Sequence, residues 1–301
     1  MTLGTLELDF VHMIEIESSW KLLTDTATVK MPANLGVNRL RLTDYLSHGE
    51  LALISLGYNG ANEQVFSGYI NRFNGKVPVE IYLEDEAYQL KRKTLNGNFS
   101  RLSELTAALD TWVVTYEDID WGQFIVQNET VGHVLERLRK EYGLYCFFRA
   151  DALHIGGQYS DGGVTHTFRL DWNTISDELE YRRREDIKLK VKATSHLGGD
   201  VKLEVELGDG EGESRTLNFY GLSDSELRKA AERELDRLKY DGWRGTFTCF
   251  GEPIVRHGDR VTITHPEQSD RTGTYYVDSV STSFGVDGYR QKIELGPIAK
   301  S

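Results

Sequence analysis

Hydrophobic residues fall on every second position along the first part of this chain. Leu6, Leu8 and Phe10 alternate with polar neighbours, as do Ile14 and Ile16, then Ala27, Val29 and Met31, then Val77, Val79, Ile81 and Leu83. Such alternation buries one face of a strand and wets the other, as in antiparallel sheet. Pro32-Ala33-Asn34, His48-Gly49 and Asn59-Gly60 separate the runs with turn-forming residues. Short strands so punctuated predict an antiparallel β-barrel over residues 1–85.

The period changes over residues 86–179. Leu102, Leu105, Leu109, Trp112 and Val113 share one helical face, and so do Val131, Val134, Leu135, Leu138 and Tyr142. Thr130 is placed to cap the second helix and Gly143 to end it. Glu136 and Lys140 are spaced to pair on its wet side. Two short strands follow, Leu144–Phe148 and Ala152–Ile155, turned by Arg149-Ala150-Asp151. This segment reads as a small α+β insertion.

Alternation returns over residues 180–301. Ile187, Leu189, Val191 and Ala193 face one way, and Val201, Leu203, Val205 and Leu207 form a matching run. Between them lies Leu197-Gly198-Gly199. A two-residue turn would set Lys192 against Val205. A three-residue loop with a left-handed glycine sets Lys192 against Glu204 and Lys190 against Glu206, and puts the apolar residues on one face. Ser223-Asp224-Ser225-Glu226 is a capping box, so a helix is expected around 223–240, plugging the end of a second barrel or lying on its side. Gly245–Gly251 and Lys292–Leu295 supply further strands.

One pattern occurs twice. His48-Gly49-Glu50 leads into Leu51–Ile54, and His257-Gly258-Asp259 leads into Arg260–Ile263. A polar loop and a second, glycine-bearing strand follow each: Phe66-Ser67-Gly68-Tyr69-Ile70 and Gly273-Thr274-Tyr275-Tyr276-Val277. Repeats constrain a whole fold. The expected class is mainly β: two similar antiparallel barrels with an α+β insertion between them.

A net charge of −12 argues against a stable grip on nucleic acid, because counterion displacement needs clustered Lys and Arg. The densest basic run, Arg182-Arg183-Arg184, is followed at once by Glu185-Asp186 and reads as a solvated junction. An acidic protein still suits a passage through which DNA slides. No apolar run reaches the ~18 residues that suggest a membrane span. The first residues lack a secretory leader's pattern, so folding in a cytoplasm is expected. Cys146 and Cys249 sit in apolar runs and read as buried, reduced thiols.

Candidate chemistry is sparse. His48 and His257 read as polar turn residues, and His265 as a loop residue without a partner at metal spacing. Asp209-Gly210-Glu211-Gly212-Glu213 lacks the ligand ladder of a calcium loop and reads as an acidic hairpin tip. His154-Ile155-Gly156-Gly157 opens no helix and reads as a strand end. Glu84-Asp85-Glu86 alternate in direction at a strand end, whereas glycoside cleavage needs carboxyls held across a cleft, so they read as a wet boundary. No nucleophile elbow is present. No catalytic, cofactor-binding or metal-binding residue is assigned.

Several stretches together resemble the phage tail baseplate hub proteins of the late-control-protein-D type. They are Leu23-Thr24-Asp25-Thr26-Ala27-Thr28-Val29-Lys30-Met31-Pro32, then Leu56-Gly57-Tyr58-Asn59-Gly60 with Phe66–Ile70, then Pro78 and Glu84-Asp85. The second half adds Leu238-Lys239-Tyr240-Asp241-Gly242, Phe250-Gly251-Glu252-Pro253, Gly258-Asp259-Arg260-Val261 and Gly273-Thr274-Tyr275. The resemblance spans nearly the whole chain and rests on the order of these motifs. It implies a non-enzymatic virion protein assembled in the host cytoplasm. It further implies a homotrimer in which three two-barrel chains imitate six, joining a sixfold tail tube to a trimeric central spike. No needle or lysozyme segment is seen after Leu295, so a spike or wall-cutting activity is expected on another chain. A hub of a related contractile injection machine fits the same residues. A secreted glycan-binding or glycan-cleaving β-protein is the rival from another class.

Overall fold

The computed structural model describes residues 1–35, 40–149, 152–159, 163–197 and 201–299. Strand outweighs helix by 54% to 17%, so the chain is mainly β, as the alternation predicts. The N-terminal half contains β1 (Thr2–Leu3), β2 (Met13–Ser19), β3 (Thr26–Met31), β4 (Leu51–Tyr58), β5 (Ala61–Phe73) and β6 (Val79–Glu84). They pair in the order β2-β3-β6-β5-β4-β1. The alternating residues Ile14, Val29, Ile54, Ile70 and Ile81 converge on one core. Each such side chain contributes roughly 1.5–3 kcal/mol on burial. Val77, expected to continue the run, lies outside β6 and is exposed, because Pro78 cannot donate to the ladder.

The insertion follows with β7 (Thr94–Arg101), α1 (Leu102–Ala107), β8 (Val113–Tyr116), β9 (Asp120–Thr130), α2 (Val131–Arg137), β10 (Tyr145–Arg149) and β11 (Ala152–Gly156). Its core holds Leu102, Trp121, Phe124, Leu135 and Leu153. Thr130 caps α2 by accepting from His133 N, and Gly143 ends the helical segment at φ 68°. Glu136 and Lys140 pair at 3.8 Å. The first predicted helix is shorter than its stripe: Val113 lies in β8. Thr111, Val113, Val114 and Thr115 are β-branched and favour the extended chain. The turn at 150–151 lies outside the described residues.

The C-terminal half begins earlier than expected. β12 (Thr165–Arg169) and β13 (Thr174–Arg182) already belong to its sheet, so the boundary at 179/180 cuts through β13. A second insertion then intervenes: β14 (Leu189–His196), β15 (Lys202–Gly208), β16 (Glu213–Tyr220) and α3 (Asp224–Leu238). α3 does not plug a barrel; it touches the last strand, Gly288–Ile298, at one end but packs mainly elsewhere. Its Leu227 and Ala231 pack on Val191, Ala193 and Val205 of this separate three-stranded sheet. Ser223 and Glu226 form the predicted capping box. Ser223→Ala should lower the stability of this unit by about 1 kcal/mol, read as earlier hydrogen exchange across α3.

The β14–β15 hairpin keeps the expected faces but not the expected pairs. Lys192 stands opposite Glu206 and Thr194 opposite Glu204, two residues from the predicted register. A shift of two preserves the buried face, and Leu197 N donating to Val201 O at 3.0 Å carries the ladder further towards the tip. Glu206 then pairs with both Lys190 and Lys192. Residues 198–200, and with them the left-handed glycine, lie outside the described residues. The 209–213 stretch is not a hairpin tip. β15 and β16 flank β14 on opposite sides, so the connection crosses the end of β14, where Asp209 accepts from Leu189 N at 3.0 Å.

The half is completed by β17 (Gly242–Phe250), β18 (Arg260–Thr264), β19 (Gly273–Gly285) and β20 (Gly288–Ile298). Their order is β13-β17-β20-β19-β18-β12, around a core of Phe168, Phe247, Val261, Tyr275 and Ile293. β19 also pairs with β2, so both halves share one continuous sheet.

Candidate functional site: two copies of one sheet and their junction

The repeat is exact in its backbone bonds, though weak in its residues. Gly49 and Gly258 take left-handed φ values of 81° and 83°, which suit glycine. Gly49 N donates to Ile70 O at 2.8 Å, and Gly258 N donates to Val277 O at 2.8 Å. Ile70 N returns to Glu50 O, and Val277 N to Asp259 O, both at 2.9 Å. Each acid accepts from the amide three residues before it: Ser47 N to Glu50 at 3.1 Å, Arg256 N to Asp259 at 2.8 Å. The ladder slips at one shared place, between Ile70 and Arg72 and between Val277 and Ser279, and the C-terminal copy has a further slip between Tyr275 and Val277. Five strands correspond in order and direction. The sixth diverges: β1 runs antiparallel to β4, whereas β12 runs parallel to β18.

The two histidines of the repeat have different surroundings. His48 is exposed and stacks on Phe73 at 5.1 Å. His257 is 1% exposed and sits edge-on to Phe147 of β10 at 4.7 Å. It is therefore not the polar turn residue expected, because the first insertion covers this turn. Neither ring nitrogen has a hydrogen-bond partner among the described residues. Burial, with Arg149 and His154 nearby, depresses its pKa to about 3 and keeps it neutral. Arg149 donates to the His257 carbonyl. His265 stays in its loop, accepting from Glu267 N at 3.2 Å.

The halves meet along the β2·β19 ladder, with Ser18 opposite Val280 and Ile14 opposite Phe284. Ser281 Oγ donates to Glu17 at 2.5 Å across it. Tyr58 OH reaches from β4 to donate to Tyr289 O at 2.7 Å and accepts from Gly251 N at 3.0 Å. Tyr58→Phe removes both bonds but leaves Gly251 N donating to Tyr289 O at 3.1 Å, and should cost about 0.5–1.5 kcal/mol, measured as a lower denaturation midpoint.

Beside this ladder lies a cavity of about 300 Å³, lined by Asp25, Asp85, Arg149, Arg256 and Tyr289 among others. Asp85 is buried, not the wet boundary residue expected, because its carboxylate fixes two backbone corners: it accepts from Asp25 N at 3.1 Å and Ala87 N at 3.0 Å. Asp25 accepts from Ser18 Oγ at 2.5 Å and Ser19 N at 3.2 Å. Burial pushes Asp25 up to about 6, and burial together with the Asp25 charge raises Asp85. Each carboxylate oxygen is engaged by the chain itself, which suits bracing rather than substrate chemistry. The neighbours Glu84 and Glu86 turn elsewhere, to Lys91 at 2.8 Å and Trp112 at 3.1 Å.

Three further observations bear on chemistry. Cys146 and Cys249 are buried free thiols, pushed up to about 12 by burial. Among the described residues no cluster of three or more His, Cys, Asp or Glu is placed to hold a metal ion, and no helix is long and apolar enough to cross a membrane. Gly156 ends β11, a strand end as expected, whereas His154 is buried in the middle of that strand. The basic run is ion-paired and exposed, with Arg182 on Glu180, Arg183 on Glu185 and Arg184 on Asp236.

No protein-family model matches the sequence, and no curated protein matches it. Solved structures do. A tail protein from Neisseria meningitidis MC58 aligns with a TM-score of 0.61 at 19% identity, over 97% of this chain and 94% of that one. The fold is that of phage tail proteins. The 43 kDa tail protein of prophage MuSo2 from Shewanella oneidensis gives 0.58 at 18% identity, over 95% and 93% of the two chains. A type VI secretion system component from E. coli gives 0.58 at 11% identity, over 96% and 74%. Within this tail-protein fold, the polar face of the shared sheet carries charges of both signs. Glu15, Glu17, Glu80, Glu84, Glu178, Glu180 and Glu294 alternate with core positions, and so do Lys30, Arg72, Arg182, Arg260, Arg290 and Lys292.

Proposed function

We propose that this chain is a structural, non-enzymatic baseplate hub of a phage tail. Three copies, each carrying two like sheets, form a pseudo-sixfold ring that meets the tail tube on one side and a trimeric central spike on the other. The observation that carries this reading is the duplication: five strands in the same order and direction, with the same glycine turn and the same slip in the ladder. A ring of unlike symmetry on its two faces needs a subunit of this kind, with heterologous contacts that close. The tail-protein fold supports it, and the E. coli likeness extends it to hubs of related injection machines.

In this reading the two sheets are the tube-facing units, and residues 86–159 and 183–241 are insertions. The wet face of the sheet lines a channel that DNA traverses without binding, in keeping with the chain's net charge of −12. The ring is built in the host cytoplasm and resides in the virion baseplate. Labelling the chain with antibody in purified particles should mark the tube–spike boundary. Label elsewhere, or turnover of peptidoglycan by the purified chain, contradicts the proposal.

A further inference from the structure

The junction inside the chain has an unfilled counterpart. β19 pairs with β18 before its slip and with β2 after it, on the same side. In the N-terminal copy, β5 pairs with β4 before its slip, and among the described residues nothing takes the place of β2 beyond Arg72. The copy of β2 is β13, which pairs with β17 and, among the described residues, with no strand on its other side. One copy thus leaves the edge of β13 free, and the other leaves Arg72 and Phe73 without a strand partner on that side, among the described residues, before the chain bends at 75–78 towards β6.

We infer that β13 of one molecule pairs with the end of β5 in a second copy of this chain, repeating the internal β2·β19 ladder. This rests on the ring reading above and specifies its contact. The register follows from shared partners. Val29 opposes Ile81 as Phe247 opposes Ile293, Phe73 opposes Ile81 as Val280 opposes Ile293, and Ile14 opposes Val29 as Asp177 opposes Phe247. Carrying Ser18–Val280 and Glu17–Ser281 across sets Tyr181 against Phe73 and Glu180 against Asn74. Glu178 then faces Lys76, a complementary pair on the wet side. Asn74 stands where Ser281 donates to Glu17; its amide donates to Glu80 at 3.1 Å within the chain, and the second amide hydrogen is the one left for Glu180. The strand pattern agrees at three positions, Glu15-Ile16-Glu17 with Glu178-Leu179-Glu180, while exposed Asp177 stands where Ile14 is buried. Acids along a free edge oppose indiscriminate pairing and leave a partner offering Asn74 and Lys76 favoured.

The test is disulfide trapping in the full chain. Glu178→Cys with Lys76→Cys, and separately Glu180→Cys with Asn74→Cys, should convert most of the oxidised protein to covalent oligomers ending at three chains. The native thiols are buried and stay out of the reaction. Glu17→Cys with Ser281→Cys closes the equivalent bond within one chain and confirms that the geometry suits a disulfide. Glu180→Cys with Lys76→Cys is out of register, with partners roughly 7–8 Å apart, and should give only background. Absence of oligomers up to the solubility limit while the internal pair closes overturns the inference, as does equal yield from the out-of-register pair. Oligomers running past three keep the edge contact and remove the closed hub ring. A trimer by mass that refuses both cross-links keeps the ring and removes this edge.

Discussion

Asp259→Ala should destabilise the C-terminal sheet by about 3–5 kcal/mol, whereas Glu50→Ala, at the same place in the other copy, should cost about 1 kcal/mol or less. Asp259 is buried and accepts from Val164 N at 3.0 Å and Arg256 N at 2.8 Å, with His166 at 3.4 Å. It thereby fixes the turn and also holds β12 parallel to β18. Alanine leaves two partly buried amides, those of Val164 and Arg256, without this charged acceptor. Glu50 is only partly buried and accepts from Ser47 N, where water can replace it. Denaturant unfolding followed by Trp243 fluorescence reads the C-terminal change, and hydrogen exchange over β4 reads the N-terminal one. Equal costs would mean that the acid serves only the turn.

Asp25→Asn should match the parent in stability near pH 4 and exceed it by roughly 3 kcal/mol near pH 8. Asp25 rises from 3.8 to about 6 on folding, chiefly through burial. The folded chain therefore holds a proton between those values that the unfolded chain has released. That contribution is fully present below 3.8 and is lost as pH rises through about 6. Asp85, raised in the same direction, adds to it. Asparagine keeps the shape: its oxygen accepts from Ser19 N and its amide donates to Ser18 Oγ, which turns to receive it. His257 acts with the opposite sign. Its depressed pKa gives stability that is present above 6.5 and lost as pH falls towards 3. That contribution is common to both proteins and cancels in their difference. Thermal melts of the two proteins across pH 4–8 check this. A gap that narrows as pH rises would contradict it.

Much of the sheet was legible because alternation reports a buried face directly: Ile14, Val29, Ile81, Phe247 and Ile293 all point into the cores the pattern implies. Caps were legible too, since Thr130, Gly143 and Ser223 act through their own neighbours. What escaped depends on distant chain. Nothing near Asp25 or Asp85 announces that they meet, and His257 differs from His48 only because β10 lies over it. The place of β13 escaped because its partner β17 follows the whole second insertion. The β14–β15 register escaped because shifts of two residues bury the same side chains.

The claim beneath all of this is that one polypeptide supplies two equivalent ring positions. End-on electron micrographs of the assembled ring, averaged without imposed symmetry, test it most directly. The expected image has six similar lobes at low resolution, resolving into three identical pairs at higher resolution. A ring of six chains, or a ring whose lobes do not pair within a chain, would contradict it.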